Sequence, residues 1–130
     1  MGNKYGIRKT VKVSFEEAVE KITAKLKEQG FGVLTEIDMQ ATLKKKIGAD
    51  MRRYTILGAC NPNLAHRAVQ SETEIGLLLP CNVIVYENDD SEMVVSAADP
   101  LMMMEIADNP QLDPIAREAR ERLEAAVNGI

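Results

Sequence analysis

Short apolar strand patterns that alternate with capped helices restrict the fold of this chain more than any other feature. Apolar residues alternate with polar ones at positions 5, 7, 11 and 13, which is typical of a half-buried strand. Ser14 then begins a capping box with Glu17, and Gly30 supplies the left-handed residue that ends the helix. Similar signals continue along the chain in the order β-α-β-α-β-α-β-β-α. The sequence therefore predicts an α+β fold, with one mixed sheet of about five strands covered by helices.

The connections between these elements predict how the strands pair. Long helical connections between the first strands favour parallel or split pairing, whereas a turn at residues 88–91 predicts a closing antiparallel hairpin. No long linker or low-complexity segment interrupts the 130 residues, and this length suits one domain with one core. We therefore expect a single α+β domain over residues 1–130.

Charge and hydropathy narrow the classes of partner. The formal net charge is -4, and acidic and basic residues are interspersed, whereas a nucleic-acid partner normally needs a basic face. No apolar run approaches the roughly 18 residues of a membrane span, and the first residues lack the apolar region of a secretory signal. These observations predict a cytoplasmic protein that binds neither nucleic acid nor membrane and keeps its two cysteines reduced.

The two cysteines lie in similar surroundings. Each precedes an asparagine, as Cys60-Asn61 at the end of one apolar run and as Cys81-Asn82 at the start of another. A thiol at each of two strand ends suggests a shared pocket. In such a pocket the asparagine side chains would orient a small ligand by hydrogen bonding, and the thiols would supply a soft or reactive contact.

The thiols are compatible with three chemistries and with a packing role. They could bind a soft metal together with His66, which is the single histidine, or they could cycle between dithiol and disulfide. Cys60 could also act as a nucleophile assisted by His66. A closed zinc site usually takes four ligands, one more than this set offers. In the packing interpretation, the cysteines behave as small buried hydrophobes and Asn61 caps a helix.

Three further features bear on a site. Glu36 and Asp38 alternate onto one strand face, where two carboxylates can bind a ligand or do acid–base work, although Asp38 also suits a helix cap. Gly58 permits a close approach inside a strand, by a ligand or by a packing neighbour. The three methionines at residues 102–104 form a soft patch, divided between core and interface, that favours a homodimer.

Four runs together resemble the Domain of Unknown Function 302 family of bacteria and archaea. They are FGVLTEID at residues 31–38, ATLK at residues 41–44, YTILGACNP at residues 54–62 and EIGLLLPCNV at residues 74–83. The resemblance covers essentially the whole chain. It implies a small, dimeric α+β protein, and it implies no particular activity.

These observations predict a cytoplasmic, non-catalytic homodimeric module. Its predicted pocket is lined by Cys60, Asn61, Cys81 and Asn82, with Glu36 and Asp38 as further candidates. The pocket is predicted to bind a small ligand or a soft metal ion, or to sense the redox state through its thiols. The alternatives are an enzyme that uses Cys60 and His66 and a purely structural or partner-binding module. The sequence identifies no cofactor.

Overall fold

The computed structural model describes residues 5–130, which contain five strands and five helices. Two short 3-10 turns, Thr73–Leu78 and Pro110–Leu112, connect some of them. The strands and helices are β1 (Gly6–Val11), α1 (Phe15–Glu28), β2 (Gly32–Asp38), α2 (Met39–Ile47), β3 (Tyr54–Cys60), α3 (Pro62–Ser71), β4 (Cys81–Glu87), β5 (Met93–Ala98), α4 (Pro100–Ala107) and α5 (Asp113–Asn128).

The five strands form one sheet in the order β1-β5-β4-β3-β2. The predicted α+β fold is therefore confirmed. All four strand pairings within residues 5–130 are antiparallel, so the sheet is not mixed and no adjacent strands run parallel. The reason is that α2 and α3 each leave and re-enter the sheet at the same end. Only α1 crosses the sheet, and it joins β1 and β2 at opposite edges.

Local signals in the sequence fix the ends of α1. The Ser14 hydroxyl accepts a hydrogen bond from the backbone N–H of Glu17 at 3.1 Å, as the capping box predicts. At the other end, Gly30 has a φ of 83°, and the Phe31 N–H donates to the Leu26 carbonyl at 2.8 Å. This is a Schellman ending, which turns the chain directly into β2.

The core lies between the sheet and the pair of helices α1 and α5. Alternate residues of the central strands point into it, as a period of two requires. The fully buried side chains there include Leu57, Val83, Val85 and Val95 from the strands and Ile22, Leu26 and Leu123 from the helices. On the opposite face of the sheet the rings of Tyr54 and Tyr86 stack, with their centroids 5.6 Å apart.

Helix α5 is amphipathic in the predicted way. Ala119, Leu123 and Ala126 are buried, and two ion pairs cross its outer side, from Arg122 Nε to Glu118 at 3.1 Å and from Arg120 Nη1 to Glu124 at 3.3 Å. No helix in residues 5–130 combines the length and the apolar character that a membrane span needs.

A bulge in the edge strand β2 explains the glycine at position 58. The pairing register between β2 and β3 shifts between Val33 and Thr35, and the shift places Thr35 opposite Gly58. A Cβ atom at position 58 would overlap the Thr35 hydroxyl and would lie 3.0 Å from Cγ of Pro80. Of the two roles predicted for Gly58, this geometry is that of the packing contact.

We therefore expect Gly58→Ala to lower the free energy of unfolding by about 1–3 kcal/mol, the usual cost of overpacking. Chemical denaturation measures it. In the double variant Thr35→Ala/Gly58→Ala the overlapping hydroxyl is gone, so at least half of the loss should be recovered. Equal losses in the single and double variants would contradict the Thr35 contact.

Candidate functional site

A pocket of about 190 Å³ opens at the end of the sheet where β3 stops and β4 begins. The chain leaves β3 at Cys60, passes through α3 and returns to β4 after a cis peptide bond between Leu79 and Pro80. Three helices complete the wall. They contribute Leu64, Ala65 and Ala68 from α3, Met104 from α4, and Ile115, Ala116 and Ala119 from α5.

The lining is almost entirely apolar because its one amide side chain is used by the fold. Asn61 lies at the N-cap of α3, where its Oδ1 accepts a hydrogen bond from the Leu64 N–H at 3.2 Å. Its Nδ2 donates to the carbonyl of Gln29, at the end of α1, at 3.5 Å. The residue is 8% exposed. Asn61 therefore acts as the predicted helix cap, and the atoms that would orient a ligand are engaged.

Both cysteines line this pocket and carry free thiols. The strand register sets Cys81 opposite Ala59, the residue before Cys60, so the two cysteines lie on adjacent strand ends. Burial, and secondarily repulsion from the neighbouring Cys60, raise the pKa of Cys81 to about 11. Cys81 is consequently a protonated, weakly nucleophilic thiol at neutral pH.

The second asparagine lies away from the pocket. Asn82 is exposed and does not line it, whereas Cys81 before it and Val83 after it turn toward the helices. Successive side chains of a strand point to opposite faces, which separates Asn82 from its cysteine neighbour. Of the doubled Cys-Asn pattern, Cys60, Asn61 and Cys81 thus belong to the lining of the pocket and Asn82 does not.

The two predicted carboxylates belong to the edge strand and not to the pocket. Asp38 Oδ1 accepts a hydrogen bond from the Ala41 N–H at 2.9 Å and caps α2. Glu36 is exposed on β2, opposite Leu57 of β3. Neither residue lines the pocket.

His66 is also outside the pocket. It is exposed on α3, whose pocket-lining positions are Leu64, Ala65 and Ala68. The predicted set of Cys60, Cys81 and His66 is not assembled: across residues 5–130, no three His, Cys, Asp or Glu side chains are grouped so that they could hold a metal ion. The enzyme alternative requires a base beside Cys60, and His66 is not among the residues that line the pocket with Cys60.

An ion pair joins α4, which forms part of the pocket wall, to α5. Asp99 caps α4 by accepting a hydrogen bond from the Leu101 N–H at 3.0 Å, and its other carboxylate oxygen accepts one from Arg120 Nε of α5 at 3.2 Å. The bond to Asp99 is the largest cause of a raised pKa for Arg120. This pair joins the start of α4 to α5, and both helices contribute to the wall of the pocket.

Sequence reasoning missed the helical half of the pocket. Ala116 and Ala119 on α5, like Ala65 and Ala68 on α3, lie three residues apart on one helix face. Small residues at that spacing leave space where larger ones would close it. The pattern is visible in the sequence, but only the fold shows that the two faces meet.

The comparisons with known proteins agree with this fold. The model of the domain of unknown function DUF302 matches residues 7–130. The chain belongs to the DUF302 family. A crystal structure of the uncharacterized conserved protein DUF302 from Bacillus stearothermophilus superposes on this DUF302 chain with a TM-score of 0.90. The two are 28% identical, and the match covers 97% of this chain and 98% of the Bacillus chain. A comparison with curated proteins finds no match.

Proposed function

We propose that this DUF302 protein is a non-catalytic binding module whose pocket takes a small apolar molecule. The observation that carries the proposal is the lining. Apart from Asn61, it consists of aliphatic, alanine, proline and sulfur-containing residues and Phe31, and Asn61 is hydrogen-bonded to the backbone of α3 and of Gln29, at the end of α1. A polar ligand would find few partners for its hydrogen bonds there, and burying unpaired polar groups is costly.

The volume limits the ligand to a small one. Pockets for drug-sized molecules span about 300–1,000 Å³, whereas an apolar cavity of about 150 Å³ binds benzene. The pocket here is about 190 Å³. It therefore fits a molecule the size of a single aromatic ring, or the end of a longer alkyl chain whose remainder lies outside the mouth.

Binding is favoured over catalysis because the groups that could move a proton are elsewhere. His66 and Glu36 are exposed and do not line the pocket, and Asp38 is engaged as a helix cap. Of the two thiols in the wall, Cys81 is held protonated by burial.

Benzene is a suitable first probe. We expect it to bind in a saturable way and to raise the melting temperature by mass action. Ala65→Leu places extra carbon atoms into the pocket, so this variant should fold and lose the benzene-dependent rise. Ala24→Leu, on the exposed side of α1, is the matched control and should keep the rise. If the wild type showed no rise, or if Ala65→Leu kept it, the proposal would be wrong.

The homodimer and the cytoplasmic location stay predictions from the sequence. Sedimentation equilibrium tests the first. A dimer that dissociates when Met102 and Met103 are replaced by glutamine would place the contact on α4, where Ile106 is also 73% exposed.

A further inference from the structure

The bulge in β2 sets the direction of the Leu34 side chain. Val33 pairs with Ala59, which faces the helices, whereas Thr35 pairs with Gly58, which belongs to the opposite face of the sheet. Leu34 is the extra residue between them, and bulges commonly re-aim a side chain. An unbroken register would place Leu34 opposite Gly58, away from the helices. With the bulge, Leu34 lines the pocket.

The exposure of Leu34 places it at the mouth of the pocket. Its side chain is 69% exposed, and it is the one exposed residue among the described residues of the lining. The neighbouring lining residues Cys60 and Pro80 are half-buried, and Phe31 and Ala59 are buried. Leu34 therefore continues the apolar wall outward, from the buried interior to solvent.

The pocket is elongated across the sheet. Its lining begins at the edge strand β2, continues through β3 and β4, and ends on α4 and α5, of which α5 packs on β5 and β1. Neighbouring strands lie about 5 Å apart, so β2 and β4 alone are separated by roughly 10 Å. A volume of about 190 Å³ that extends over this length is narrow. Such a space suits a linear chain, of which a single ring would fill only a part.

We propose that the ligand of this pocket is a linear alkyl chain, and that Leu34 determines how strongly longer chains are favoured. This inference rests on the proposed function and names the ligand class. The end of the chain lies in the pocket, the carbons that follow leave it along Leu34, and the polar end of the molecule stays in water. Each CH₂ group that lies against Leu34 is partly removed from water, so affinity continues to rise after the pocket is filled.

The same strand supplies a matched control. Ile37 is 46% exposed on β2, pairs with Ile56 and does not line the pocket. Leu34→Ala and Ile37→Ala each remove an exposed aliphatic side chain from this edge strand, so both variants should fold. Leu34→Met keeps an apolar side chain of similar volume at the mouth.

The test is calorimetric titration of the full chain with linear primary alcohols from butanol to decanol. In the wild type, each CH₂ that enters the pocket should tighten binding about fourfold, and each further CH₂ that lies along Leu34 about twofold. Leu34→Ala should bind butanol as the wild type does and decanol at least about fivefold more weakly. Ile37→Ala and Leu34→Met should follow the wild type throughout the series.

Two results would overturn the role of Leu34: equal decanol affinities for the wild type and Leu34→Ala, and an equal loss in Ile37→Ala. A wild type that binds decanol no more tightly than butanol would overturn the alkyl chain. The benzene measurement separates this inference from the proposed function. Benzene binding without a gain along the alcohol series removes the alkyl chain alone, whereas a wild type that binds neither benzene nor any alcohol removes both.

Discussion

Phe31→Ala should lower the free energy of unfolding by about 3–5 kcal/mol, the range typical of removing a buried aromatic ring. Phe31 is 2% exposed and joins the core cluster at the point where α1 turns into β2. Its backbone N–H would still donate to the Leu26 carbonyl, so the loss comes from the side chain. Because small domains are stable by only about 5–15 kcal/mol, this variant should be marginally folded.

Urea denaturation measures the change as a lower midpoint with an unchanged slope. Leu77→Ala is the control, because Leu77 is 82% exposed and its replacement should cost less than about 0.5 kcal/mol. Phe31 also lines the pocket, so its removal enlarges the space and a bound apolar probe should restore part of the stability. A loss below about 1 kcal/mol would contradict the packing described for Phe31.

The second large expected effect is slow alkylation of the Cys81 thiol. With a pKa of about 11, this thiol carries little thiolate at pH 8. We expect iodoacetamide to modify it at least about tenfold more slowly than an unstructured cysteine, after allowing for the greater nucleophilicity of a more basic thiolate. Peptide mass spectrometry after timed labelling separates Cys81 from Cys60. Denaturation in urea should remove the protection, and rapid labelling of Cys81 in the folded chain would contradict its burial.

The same raised pKa makes stability depend on pH. In the unfolded chain a thiol ionises near its ordinary pKa of 9.0, whereas the folded chain keeps the Cys81 proton up to about pH 11. The folded state therefore binds more protons in this window, and stability falls as pH rises from about 9 to 11. One pKa unit corresponds to 1.36 kcal/mol, so the loss should be about 2–3 kcal/mol. Cys81→Ala should show a shallower decline, and identical slopes would contradict the shift.

The helix ends were predictable because their signals are local. Ser14, Asp38 and Asn61 each cap the helix that follows, and Gly30 and Gly48 each adopt a positive φ where a helix ends. Strand pairing depends on contacts between distant residues. A helical connection is compatible with parallel strands and equally with a return to the same sheet end, so its presence did not decide the pairing.

Only part of the candidate site could be predicted from the sequence, for a similar reason. The similarity of the two Cys-Asn pairs drew attention to both asparagines, yet the period of a strand already separates Cys81 from Asn82. His66 follows Ala65 by one residue, and a turn of about 100° per residue takes it from the pocket wall to solvent. The alanines of α3 and α5 form a cavity only because the two helices pack side by side. Local sequence patterns do not predict that packing.

The bulge in β2 bears on how copies of this chain can associate. An edge strand offers unpaired backbone groups to any neighbouring strand, which is a common route to aggregation. Here the register shift between Val33 and Thr35 interrupts the regular spacing of those groups, and Glu36 adds an exposed charge. A second copy that added a strand at this edge would meet an irregular hydrogen-bond spacing at the bulge. For the predicted homodimer, the bulge and the charge disfavour continuing the sheet through β2 and favour surface packing on this side of the molecule.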